Sequence, residues 1–235
     1  MKKGDLYLIP TSIGIGTEDQ TLSKQSKNTI KNIDIFIVEN IRTARRFIRR
    51  IDRTRNIDNI LFYSHGKHSS IDLQEDFLGN ILKGQDIGII SEAGSPCVAD
   101  PGSDIVNFAH KFQIKVVPVV GPSSILLALM ASGLNGQNFA FVGYLPIKKK
   151  ETEHKMKQLE YLSQKNGQTQ IFIETPYRNL QLFESILRTC NMSTKLCIAS
   201  NITLEEEYIR TKTIKEWKED TPKINKQATV FLLSC

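Results

Sequence analysis

The chain is predicted to be an α/β protein, and three observations carry that expectation. Runs such as Ile33-Asp-Ile-Phe-Ile-Val38, Ile87-Gly-Ile-Ile90 and Ile114-Lys-Val-Val-Pro-Val-Val120 are short, apolar and β-branched. That is the pattern of strands buried on both faces, and such runs are too short for core helices. Between them lie segments with helical periodicity, and a strand–helix alternation implies a parallel sheet covered on both sides. The third observation is Ser91-Glu-Ala-Gly-Ser-Pro-Cys-Val-Ala-Asp-Pro-Gly102, which follows the Ile87–Ile90 strand. Pro restricts φ and Gly permits positive φ, so this backbone bends sharply and turns its amides outward. A bent loop at the carboxyl end of a parallel strand is where such proteins hold ligands.

Taken in order, Asp5–Pro10 is expected as a strand and Leu22–Lys31 as a helix. The strand Ile33–Val38 is followed by an arginine-rich helix. Ile60–Tyr63 is a short strand, Leu73–Leu82 a helix, Ile87–Ile90 a strand, Ile105–Lys111 a helix and Ile114–Val120 the fifth strand. Gly121-Pro-Ser-Ser124 then opens a helix through Ala131, with Ser123 or Ser124 as its cap. Beyond it the pattern changes. Phe139–Tyr144, Gln170–Glu174, Lys195–Ala199, Glu207–Thr213 and Ala228–Leu233 read as strands, with helices over Glu151–Gln164 and Asn179–Cys190. The later strands follow one another closely, which predicts a mixed sheet. A division near residues 118–124 therefore separates a parallel-sheet domain, 1–120, from a mixed-sheet domain, 121–235.

Composition bounds the function. The 235 residues, 40% hydrophobic and 24% charged, suit a globular protein with a substantial core. No apolar run approaches the roughly 18 residues that span a bilayer. The start, Met1-Lys-Lys-Gly-Asp5, shows no secretory leader, so a cytoplasmic location and no membrane partner are expected. The four cysteines, Cys97, Cys190, Cys197 and Cys235, form no metal-ligand spacing, and His65-x-x-His68 reads as a surface loop. No metal is expected.

The net charge is +6, and its distribution is informative. Arg42, Arg45, Arg49 and Arg53 form one helical stripe, with Arg46 and Arg50 beside it. Ile41, Ala44, Ile48 and Ile51 make the apolar face. Solvated helix faces alternate sign, whereas only Asp52 offsets these six arginines locally, and guanidinium suits bidentate phosphate contact. Lys148, Lys149 and Lys150 form a second basic patch, equally compatible with a lysine-rich linker. Both patches are candidate contacts for a phosphate-rich partner. The segment Ile9–Gly16, with Glu39 after the next strand, partly imitates a dinucleotide fingerprint, but Asp19 stands where its third glycine belongs. Glu39 reads equally as a cap for the arginine helix.

Leu6-Tyr-Leu-Ile-Pro-Thr-Ser-Ile-Gly14, Val38-Glu-Asn-Ile-Arg42, Ser91–Gly102, Gly121-Pro-Ser-Ser124 and Ile173-Glu-Thr-Pro-Tyr-Arg178 occur in this order. Together they resemble the tetrapyrrole-methylase superfamily of S-adenosylmethionine (SAM) enzymes. The branch most similar methylates a cytidine ribose 2′-hydroxyl in small-subunit ribosomal RNA. The resemblance covers nearly the whole chain and implies a two-domain α/β fold and a homodimer. It places SAM against Pro10 and Ile13, Gly94, Ser95, Pro96 and Val98, Ser124 and Ile125, and Ile173, Ala199 and Thr229. In place of the branch's Asp-Thr after Glu39 stand Asn40 and Ile41, and its His-Glu-His-Asn segment is not reproduced by Tyr63–His68. These departures fall on the implied substrate side. Glu39, Asp100 and, after them, Glu92 are the candidate bases for a ribose hydroxyl, a weak nucleophile. Two rival readings stay open: a small-molecule methyltransferase of the tetrapyrrole type, and a non-catalytic RNA-binding assembly factor. A nicotinamide dehydrogenase rests on the glycine pattern alone.

Overall fold

The computed structural model describes residues 2–67 and 69–235. The expectation for His68 lies outside them. The chain divides into two units, Met1–Ser123 and Ser124–Cys235.

The first unit is built on five strands, β1 (Leu6–Ile9), β2 (Ile35–Val38), β3 (Leu61–Ser64), β4 (Ile87–Ile90) and β5 (Val116–Pro118). All pairings are parallel, in the order β3-β2-β4-β1-β5. Every residue of β2 and β4 is buried, which explains their unbroken apolar composition. Alternate side chains serve opposite faces. Phe36 and Val38 pack with Ile30, Phe47 and Ile48, under the helices α2 (Lys24–Asn32) and α3 (Ile41–Ile51). Ile35 and Ile37 pack with Phe77, Ile81 and Ile105, under α4 (Gly79–Leu82) and α5 (Ser103–Lys111). The helix expected over Leu73–Leu82 begins with widened turns at Leu73–Leu78, where Phe77 N–H donates to Asp72 O. A short helix α1 (Glu18–Thr21), which carries too few residues to show a period, precedes α2.

The strand order positions the site. From β1 the chain leaves toward β2, whereas from the adjacent β4 it returns past β1 toward β5. The carboxyl ends of β1 and β4 thus flank a topological switch point, where crossovers diverge and open a crevice.

The second unit has a mixed sheet of β6 (Phe139–Tyr144), β7 (Thr169–Ile173), β8 (Lys195–Ser200), β9 (Tyr208–Thr213) and β10 (Thr229–Ser234), ordered β6-β7-β10-β8-β9. Only β6 and β7 pair in parallel. Phe172 and Phe231 stack at 5.8 Å in one core with Trp217 and Leu159; Ile171, Val230 and Leu232 face the other way. The flanking helices are α6 (Ser124–Ser132), α7 (Lys149–Asn166), α8 (Asn179–Thr189) and α9 (Ile214–Trp217). The last was not expected, although Thr213 and Glu216 form a capping box whose Thr-x-x-Glu spacing is legible in the sequence. Among the described residues, no helix is long and apolar enough to cross a membrane.

Candidate functional site

Three loops meet at the carboxyl edge of the first unit's sheet. Thr11 N–H donates to Gly94 O at 2.9 Å, joining the loop after β1 to the loop after β4. Ser91 Oγ also bonds Gly94 O, and Ser95 Oγ donates to Pro122 O at 3.2 Å, bringing in the loop after β5. Gly94 has φ +76°, open to glycine and strained for other residues. At Gly121 a Cβ would stand 2.1 Å from Pro10 Cγ, so only glycine permits this approach. Cys97 (φ +64°) and Ala99 (φ +61°) hold left-handed conformations that non-glycine residues seldom adopt, and such outliers concentrate at ligand sites. Pro10, Gly94, Ser95 and Pro96 are thereby gathered at one place, with Ile13 against Gly94. Val98 stands at the exposed side of the loop.

Beside these loops lie the carboxylates. Glu39 follows β2, Glu92 follows β4, and both line, with Asp100 and His65, a cavity of about 10 Å³, the room of one water. Burial pushes the Asp100 carboxyl up to about 6, and the negative charges of Glu39 and Glu92 add to the effect. Asp100 Oδ2 is buried with no hydrogen-bond partner among the described residues. Thr43 Oγ1 donates to Glu92 Oε1 at 2.7 Å and anchors that carboxylate to α3. Glu39 is not the cap of α3: Asn40 Oδ1 accepts from the amides of Arg42 and Thr43. The residue that departs from the family pattern therefore starts the arginine helix, and Glu39 stays available to the cavity.

Sequence reasoning missed His65 as a member of this group. Its Nε2 lies 3.1 Å from Asp104 Oδ1 at the start of α5, its side chain is only 10% exposed, and its Nδ1 is buried with no partner among the described residues. The position directly after a parallel strand was the available signal.

The α3 arginines divide into two kinds. Arg45 pairs with Asp58 at 2.5 Å, and Arg50 with Glu18 at 2.6 Å. Burial raises the Glu18 carboxyl, but its own backbone amide and Arg50 outweigh that and hold it below the ordinary carboxylate range. Arg42, Arg46 and Arg49 form no ion pair among the described residues, and neither does Arg53. Arg53, expected on the helical stripe, lies beyond the end of α3 at Ile51 because Asp52 is extended. The buried face is Ala44, Phe47 and Ile48, while Ile41, expected inside, is 38% exposed. Under this helix lies a larger cavity of about 220 Å³.

In the second unit, Ser124 is the first residue of α6. Ile125 and Ala199 are buried in one core cluster, against which Ile173 packs. Thr229 Oγ1 accepts from Asn179 Nδ2 and donates toward Ser200 Oγ. Lys148, Lys149 and Lys150 are exposed at the start of α7, where Lys148 pairs with Glu151.

With this geometry in hand, comparison with known proteins defines the class. Residues 11–218 match the family of Tetrapyrrole (Corrin/Porphyrin) Methylases. Ribosomal RNA small subunit methyltransferase I of Buchnera aphidicola subsp. Schizaphis graminum is 31% identical, over 99% of this chain and 79% of its own. The protein of that name from Vibrio cholerae is 29% identical over 87% of this chain and 67% of its own. Among solved structures, the methyltransferase CobJ aligns at TM-score 0.64 and 15% identity, covering 98% of this chain and 94% of its own. Uroporphyrin-III C-methyl transferase from Thermus thermophilus, complexed with S-adenyl homocysteine, aligns at TM-score 0.54 and 15% identity, covering 98% and 97%. The chain belongs to the tetrapyrrole methylase family and is a methyltransferase with its two-unit α/β fold.

Proposed function

We propose that this protein uses SAM to methylate a ribose 2′-hydroxyl in the RNA of the small ribosomal subunit. The observation that carries the reading is the carboxylate cavity, where Asp100 titrates at about 6 between Glu39 and Glu92. A base poised near neutrality suits proton removal from a hydroxyl. The named relatives support the RNA substrate, and Arg42, Arg46 and Arg49 of α3, which have no acidic partner among the described residues, support phosphate contact.

The loop residues suit SAM. Gly121 lets Pro10 pack directly on its backbone and Gly94 takes a positive φ, and the bent backbone that results offers donors and acceptors to an amino-acid end. Ile13 and Pro10 supply apolar surface beside them. When bound, SAM supplies a methyl group already activated by its sulfonium. The chain's task is then to hold the acceptor oxygen in line and take its proton. Asp100 takes that proton at Oδ2, the oxygen without a partner among the described residues. Burial first, and then the charges of Glu39 and Glu92, keep Asp100 basic, and Thr43 holds Glu92 in place.

Purified protein with radiolabelled SAM tests the reading on undermethylated small subunits, free ribosomal RNA and a porphyrin precursor. Label in RNA, mapped to a ribose, is the expected result. Label in the porphyrin and in neither RNA overturns it.

A further inference from the structure

The 220 Å³ cavity under α3 has three walls, all within the first unit. The loop after β1 contributes Ile13 and Ile15, α3 contributes Ala44, Arg46 and Phe47, and the end of β4 contributes Ile90 through Glu92. Its character is that of a nucleobase site. Ile13, Phe47 and Ile90 give apolar surface for a flat ring, and Ile15, 82% exposed, forms an uncovered apolar lip. Thr11, Ser12, Thr43 and Ser91 line the same space with hydroxyls; the Ser12, Thr43 and Ser91 protons go to Glu18, Glu92 and Gly94 O, which leaves their oxygens to accept from the amino group of a ring edge. Arg46 has a guanidinium with no acidic partner among the described residues, free to stack on a base or to meet its phosphate.

Size and position narrow the occupant. The volume lies below the roughly 300–1,000 Å³ of sites for drug-sized ligands, which suits one nucleoside and is too small for a tetrapyrrole. Ser91 and Glu92 line both this cavity and the small carboxylate cavity that holds Asp100. A base seated under α3 therefore brings its own ribose to the Glu92 boundary, beside the candidate base. Of the loop residues assigned to SAM, Ile13 lines the space and so stands at the boundary with the cofactor, whereas Pro10, Gly94, Ser95 and Pro96 do not line it.

We propose that the cavity under α3 receives the base of the acceptor nucleotide, turned out of the RNA, so that its ribose faces the Asp100 cavity. This rests on the ribosomal RNA reading above. Extruding a nucleotide into a fitted pocket is a known way to present a buried nucleotide to an enzyme, and its unstacking energy is smallest in single-stranded RNA.

Two variants of the full chain test it. Ala44→Met fills the cavity from the helix, and Arg46→Ala removes the guanidinium with little risk to folding. The RNA probe is a small-subunit fragment carrying a fluorescent pyrimidine analogue at the methylated position, mapped first with the wild-type protein. Wild-type binding should raise its fluorescence, as an unstacked base does. Both variants should lose most of that rise and about tenfold or more of kcat/KM on RNA, with S-adenosylhomocysteine affinity by calorimetry within about twofold. A full fluorescence rise with undiminished kcat/KM in both variants overturns the proposal and leaves the ribosomal RNA reading intact. Lost S-adenosylhomocysteine binding in folded Arg46→Ala also overturns it, because the cavity would then belong to the cofactor. A wild-type protein that methylates only the porphyrin precursor overturns the functional reading itself, a result distinct from either.

Discussion

Asp100 and the more deeply buried acids are treated in opposite ways. The contrast holds within the first unit, where buried Glu18 is bonded to Arg50 at 2.6 Å, as well as between the units. In the second unit Glu174 is paired with Arg178 at 2.5 Å and caps its own loop at the Thr175 amide. Glu160 accepts from Thr194 Oγ1 at 2.5 Å and from the Asn191 amide at 2.7 Å. In the first unit Asp100 sits with two further carboxylates, one of its oxygens has no partner among the described residues, and its pKa rises to about 6. A buried charge that is paired and hydrogen-bonded serves the fold, whereas one left among like charges is strained and available for proton transfer. Position in sequence does not distinguish these acids. Their surroundings do.

The sharpest way to break this contrast is at Asp100. Asp100→Asn should lower methyl transfer by roughly 10²–10⁴-fold, the usual yield of a general base. It should also stabilise the fold above pH 6. The Asp100 pKa is raised from 3.8, so the folded state binds its proton more tightly than the unfolded state does. Ionisation therefore erodes stability as pH rises from about 4 through 6, and the neutral amide escapes that loss. Thermal unfolding at pH 7 should show a Tm gain of about 2–4 °C, the response of a chain this size to about 1 kcal/mol. Wild-type activity should fall below pH 6 with a slope of one proton. An unchanged rate in Asp100→Asn removes this carboxylate as the base.

Glu174→Ala supplies the opposite arm. Removing one partner of a nearly buried ion pair leaves Arg178 uncompensated, at a cost of about 1–3 kcal/mol. Denaturant unfolding should register that loss. A Tm gain here would erase the distinction between the two kinds of acid.

A smaller effect is expected at His65. His65→Gln and Asp104→Asn should each lower kcat by about tenfold, and the double variant should be no worse than the poorer single one, because the two residues act as one unit. S-adenosylhomocysteine affinity should stay unchanged in all three, measured by calorimetry. Additive losses would separate the pair.

The smallest effect concerns the arginines. Arg49→Glu should reduce the steepness with which RNA affinity falls with salt by about 0.7–0.9, one phosphate contact. Arg45→Glu should do less to that slope, since Arg45 is already engaged by Asp58. Equal effects of the two substitutions on the salt dependence would make the helix face uniform.

Much of this molecule was legible before any coordinates. Ile87-Gly-Ile-Ile90 and the Ile35–Val38 core of the second strand are buried throughout, as their composition required, because a strand covered on both faces has no position for a polar side chain. The bent Ser91–Gly102 loop was equally plain, since Gly and Pro restrict the backbone wherever they occur. Asn40 carries the chemistry of a good helix start, a signal missed by seeking the cap in Glu39 and seeing in Asn40 only a departure from the family. The tertiary structure decided which charges meet. Glu18 neutralises Arg50 and Asp58 neutralises Arg45, so the six-arginine face is partly balanced by acids from outside the helix. Glu39, His65, Glu92 and Asp100 share one cavity because β2, β3 and β4 are neighbours in the sheet. Hydrophobic period and turn chemistry act over a few residues and specify elements. Strand order is set by packing among all of them, and the pairing of distant charges follows from that order alone.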